Sequence, residues 1–76
     1  MSALPDGWTE VDSAEFGALC EEPHLVIAMW VGPDDADLAV YLDGTVEVEK
    51  AAPIEIVTLA LAAFHRHARA GTAVAG

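Results

Sequence analysis

Leu25 to Val31 is an unbroken run of seven apolar residues, rich in β-branched and aromatic side chains and fenced by Pro23 before it and Gly32-Pro33 after it. That length and punctuation specify a strand rather than a helix. With apolar groups on both faces, the strand must lie inside a sheet and be covered from both sides. A chain of 76 residues has little material for the task. A domain of this size buries only about 60% of the surface its unfolded chain exposes, and usually needs a disulfide, a metal or a partner. The single cysteine, Cys20, excludes an intrachain disulfide and suits a reducing compartment. Metal and self-association remain open as sources of stability, and so does a cover for one face of the central strand supplied from outside the chain.

The flanking segments supply the other elements. Asp12 is a good N-cap, Glu15 stands three residues on as in a capping box, and Val11 and Phe16 occupy the two staple positions, so a short helix is expected from Ser13 to Glu22. It would bury Phe16, Leu19 and Cys20 and end before Pro23. Residues 1–11 read as an N-terminal extended segment, in which Gly7 to Val11 alternates as a short edge strand would.

Asp43-Gly44 between Leu38–Leu42 and Thr45–Glu49 signals a hairpin. A two-residue turn would set Val40 against Glu47 and mix apolar and acidic side chains on one face. A three-residue loop of Leu42, Asp43 and Gly44, with Gly44 left-handed, aligns Leu38 and Val40 with Val48 and Val46 and separates the faces. The longer loop is therefore expected. Ala39 and Tyr41 then lie beside Glu47 and Thr45 on the opposite face, joined by either Val26, Ala28 and Trp30 or Leu25, Ile27 and Met29.

Pro53 opens a long helix, with Glu55 in its first turn, Arg66 and Arg69 near its end, and Gly71 as the C-terminal cap; residues 71–76 are a small-residue tail. Ile54, Ile56, Val57, Leu59, Ala60, Leu61, Ala63, Phe64 and Ala68 spread over an arc roughly twice the usual width of an apolar helix face. One helix on a small sheet cannot bury so broad an arc. The expected fold class is α+β, a three-stranded antiparallel sheet, or four-stranded if Gly7 to Val11 joins it, with a short N-terminal and a longer C-terminal helix, order α-β-β-β-α, as one domain spanning 1–76.

Charge narrows the partners. Thirteen of sixteen charged residues are acidic, the net charge is −10, and the twelve carboxylates before Lys50 have no basic side chain among them. Such a chain repels phosphate backbones and anionic bilayers, and three basic residues cannot support binding to nucleic acid by counterion release. No apolar run reaches the roughly 18 residues of a membrane span, and Met-Ser-Ala-Leu-Pro-Asp has no signal-peptide character. Synthesis in the cytoplasm is expected. Fifteen alanines and one lysine suit a high-GC bacterium or its phage, and a halophile's acidic surface would look alike.

No constellation of residues specifies catalysis. His65 and His67 diverge by about 200° on a helix and do not chelate. Pro23 separates Cys20 from His24, and no oxyanion site accompanies them. Asp34, Asp35 and Asp37 form a dense acidic turn but miss the calcium-loop spacing. No enzyme activity, cofactor or metal is expected. The excess apolar surface instead implies a protein-protein interaction or assembly subunit, self-associating or bound to a larger partner. A bacterial accessory protein or a capsid-associated, head-decorating virion component fits that description. The expected interface residues are Val26, Ala28, Trp30 and Tyr41 on the sheet and Ile56, Leu59, Phe64 and His67 on the helix. His67 interrupts the apolar arc and would make such an interface sensitive to pH between about 5 and 7. The alternative is an acidic inhibitor or DNA mimic that occupies a cationic site on its target.

Overall fold

A computed structural model describes residues 4–75, and the side chains of residues 4–70. Four strands form an antiparallel meander in the order β1-β2-β3-β4, where β1 is Thr9–Glu10, β2 is Val26–Val31, β3 is Asp37–Tyr41 and β4 is Val46–Glu49. A one-turn helix, α1 (Phe16–Leu19), follows β1, and a long helix, α2 (Ile54–Ala75), follows β4. The architecture is the expected α+β, with four strands rather than three. The fourth is the segment Gly7 to Val11, of which Thr9 and Glu10 pair with Val31 and Trp30.

β2 does lie inside the sheet, between β1 and β3. Its alternation is interrupted: Val26 pairs with Tyr41 but Ala28 pairs with Val40, which leaves Ile27 as the extra residue of a bulge. The bulge moves Val26 onto the same side as Met29. Neither expected triplet therefore forms one face. Val26 and Met29 join Phe16 and Ala39 in one buried cluster, while Ala28 and Trp30 join Trp8, Leu38 and Val40 under Ile56, Ala60 and Ala63 of α2 in another. Trp30, Leu38 and Val40 of the sheet pack against Ile56 and the two small alanines of the helix. The Trp30 indole is 3% exposed, and its Nε1–H finds no acceptor among the described residues, a cost of roughly 1–3 kcal/mol accepted for the area the ring buries.

The hairpin adopts the register that separates the faces, with Leu38 opposite Val48 and Val40 opposite Val46. Gly44 N–H donates to Tyr41 O, Tyr41 N–H donates to Thr45 O, and Gly44 takes φ +91°, the left-handed conformation a three-residue loop requires. Asp43 reinforces the loop by accepting from Thr45 N–H at 2.9 Å.

Three expectations need correction. The N-terminal helix begins with a 3-10 turn at Ser13–Glu15, capped by Asp12, whose carboxylate accepts from Ala14 N–H at 3.0 Å, and it stops at Leu19 rather than Glu22. Cys20 is already extended, so Pro23 starts the next turn instead of ending the helix. Gly17 in its middle and Glu21-Glu22 beyond it give a longer helix little support. Leu19, expected in the core, is exposed. Finally, α2 runs through Gly71 to Ala75, because a glycine inside an alanine-rich stretch weakens a helix without stopping it. The expected tail thus lies in α2, except Gly76, which together with Met1 to Ala3 of the N-terminal segment falls outside the described residues.

Candidate functional site

β4 is the edge of the sheet, and all four of its residues are exposed. Among the described residues its one strand neighbour is β3. The Tyr41–Thr45 hydrogen bond fixes the phase of the ladder. Antiparallel pairs alternate, so Glu47 and Glu49 exchange bonds with β3, whereas the N–H and C=O groups of Val46 and Val48 point away from the sheet. The side chains of the two valines follow their partners Val40 and Leu38 to the α2 side.

α2 packs on β2 and β3, which leaves β4 beyond its cover. Val46 and Val48 remain exposed, Val48 by 45%. On the helix, Ile54, Val57, Leu61 and Phe64 fall within an arc of about 80° at 100° per residue. The Phe64 ring reaches the β3–β4 turn, where a Cβ on Gly44 would stand 3.4 Å from it. The Phe64 end of this flank therefore meets the β3–β4 turn. Ile54 is 71% and Leu61 51% exposed, and at 100° per residue they lie about 150° and 130° around the helix from the stripe of Ile56, Ala60 and Ala63 that packs on the sheet.

The other side of the sheet is acidic. Asp37 and Glu49 are directly paired, Glu47 pairs with Ala39, and no lysine or arginine lies on either strand. A groove of about 630 Å³ opens there between the end of α1 and the sheet, floored by Met29, Ala39 and Tyr41 and walled by Cys20, Glu22, Asp37 and Glu47. Burial first, then Glu49 and Glu47, raise the Asp37 carboxyl above its ordinary range. The same crowding acts on Cys20, raised first by burial and then by Asp37 and Glu47. Its Sγ sits 3.8 Å from Met29 Sδ. A thiol held protonated against a thioether has the opposite of a nucleophile's environment.

Tyr41 closes this side by donating its hydroxyl to Glu47 Oε1 at 2.6 Å. That bond, followed by burial, pushes the phenol up to about 12. The folded state holds the proton more tightly than the unfolded chain does, so the bond's contribution is full below about pH 10 and is lost as pH rises through about 12. Tyr41 is the chain's one tyrosine, which makes the titration unambiguous. Absorbance at 295 nm should show a midpoint near 12, and Glu47→Ala should move it down toward 10. An unchanged midpoint in the variant would show that Glu47 does not hold the phenol.

The eight residues expected at an interface are not brought together. Ala28, Trp30 and Ile56 are buried under α2, and Val26 is buried on the opposite side with Phe16. These four form the chain's own core and are not surface available to a partner. Tyr41 lines the acidic groove. Leu59 and Phe64 are half-buried against the core, and His67 is exposed. The large apolar side chains left exposed are instead Val46 and Val48 on β4, Ile54 and Leu61 on α2, and Leu19 and Leu42 beside the acidic groove. The hairpin register was enough to find the two valines: an edge strand whose apolar side faces a single helix placed over its neighbours must stay uncovered. His65 makes an edge-on ring contact with Phe64, at 6.2 Å between centroids, and does not act with His67. Among the described residues no group of three or more histidine, cysteine or acidic side chains is placed to hold a metal ion. Among them, too, no helix is long and apolar enough to cross a membrane. Compared with protein-family models, curated proteins and solved structures, the chain matches none.

Proposed function

We propose that this chain is a non-enzymatic protein-protein interaction module, an accessory or assembly subunit that holds its partner at β4. The observation that carries the reading is the coincidence, on one strand, of an unpaired edge with the exposed side chains of Val46 and Val48, while Ile54 and Leu61 are exposed on α2. Apolar patches that a monomer leaves open beside a polar rim mark interaction surfaces. A virion or other large assembly would supply such a partner in many copies. The acidic side of the same strand favours a second reading, an inhibitor that covers a cationic site, in which the carboxylates of Asp37, Glu47 and Glu49 carry the binding.

The test is a complex of defined mass, measured by light scattering on material cross-linked and purified from the source cells. Val48→Asp combined with Leu61→Asp, both at exposed positions, should leave the circular dichroism spectrum intact and lower complex yield at least tenfold. A complex formed equally by the double variant, or a wild-type chain that forms none, would contradict the reading. Complex loss on raising salt, without loss in the double variant, would select the inhibitor.

A further inference from the structure

We infer that the occupant of the β4 edge is an extended segment of another protein in which basic and apolar residues alternate, added to the sheet as a fifth strand. The inference rests on the proposed interaction role and names the chemistry of the partner. Strand addition requires outward-facing backbone groups, and Val46 and Val48 supply them. Their pairs with an added antiparallel strand would be hydrogen-bonded ones, with apolar side chains meeting on the α2 side.

Glu47 and Glu49 alternate with the valines on the opposite face. Their partners would sit in non-hydrogen-bonded pairs, the closer kind, with Cα atoms about 4.5 Å apart. A lysine or arginine there meets a carboxylate with no basic side chain on β3 or β4 to compete for it. Two residue types at period two thus match the two faces of the edge.

The same geometry excludes a second copy. Antiparallel pairing of β4 with itself must keep valine opposite valine, and the two registers of that phase that overlap the strand most set Glu47 against its own counterpart or against Glu49. Like charges directly opposite destabilise a strand pair, and each chain brings a net charge of −10. Charged side chains on an edge are a common guard against self-pairing. Here the guard is of one sign, so it admits the opposite sign. At the other edge, β1 offers two residues, too short a template to compete.

The experiment titrates the ¹⁵N-labelled chain with capped seven-residue peptides and follows amide shifts by NMR. A peptide alternating valine and lysine should shift the Val46 and Val48 amides and slow their exchange. Its affinity should fall roughly tenfold between low and physiological salt. The valine-glutamate peptide, a valine-lysine peptide N-methylated at the valine amides that would face β4, and a block peptide of the same composition should each bind at least tenfold more weakly. Glu47→Lys with Glu49→Lys should reverse the preference between the lysine and glutamate peptides. Equal binding of the N-methylated peptide, shifts confined to the acidic groove, or an unreversed preference would overturn strand addition. Shifts of Val46 and Val48 on concentrating the chain alone would name a second copy as the occupant. If the peptides fail while the Val48→Asp, Leu61→Asp pair still abolishes the native complex, the interaction role stands and the partner's chemistry falls.

Discussion

Ile56→Ala is expected to destabilise the folded chain by about 2–5 kcal/mol, because it removes a fully buried side chain and leaves a cavity between α2 and the sheet. Ile56 is 0% exposed and packs in the cluster that contains Trp30, Leu38 and Val40. A domain of this length holds only about 4–11 kcal/mol in total, so the loss consumes much of its margin. Denaturant unfolding should show the midpoint falling with an unchanged slope. The result separates core from interface. Had Ile56 belonged to a binding face, as its place on the broad apolar arc suggests, truncation would weaken partner binding and leave the isolated chain nearly as stable as before.

Gly32→Ala should cost nearly as much, about 1–3 kcal/mol, although it adds a single methyl group. Gly32 has extended backbone, φ −129°, so conformation is not the reason. A Cβ there would come within 2.4 Å of the Trp8 indole, which lies flat over the residue. The ring is 7% exposed and belongs to the helix-side core, so it cannot swing aside without exposing that core to water. Thermal unfolding should report the loss, and emission from a displaced indole should shift to the red. If the variant unfolds like the wild type, Trp8 does not occupy that place. Trp8→Ala combined with Gly32→Ala provides the cycle: the alanine at 32 should cost little once the ring is gone.

Much of this packing was legible in the sequence, for identifiable reasons. The Leu38–Glu49 hairpin was readable because only one register keeps valine and glutamate on separate faces. The position of Val26 to Val31 inside the sheet followed from the run's apolarity on both sides, although Leu25 at its start lies in a 3-10 turn. The bulge at Ile27 was not readable, since a run apolar at every position carries no parity signal for a slip to violate. That is why Val26 was grouped with Ala28 and Trp30. The same blindness explains the interface residues. Apolarity marked Trp30 and Ile56, but burial depends on which part of the arc α2 turns toward the sheet, and nothing in the helix's own pattern fixes that rotation. Trp8 was missed because its contact is with a glycine 24 positions away. The early end of α1 reflects tertiary demand: Cys20 leaves the helix to reach Met29.

The acidity changes meaning once the strands are placed. Glu47 and Glu49 stand on the one long open edge, each alternating with an exposed valine. In the proposed strand addition, the carboxylates would select a partner of opposite sign at a position where backbone and apolar contacts are also on offer.

The most direct test is amide hydrogen exchange on the chain alone and in complex with its native partner. The outward N–H groups of Val46 and Val48 should exchange rapidly when the chain is free and become at least tenfold slower in the complex, while those of Glu47 and Glu49, already bonded to β3, change less. Protection that leaves Val46 and Val48 untouched and arises on β1 or on the far face of α2 would contradict binding at the β4 edge.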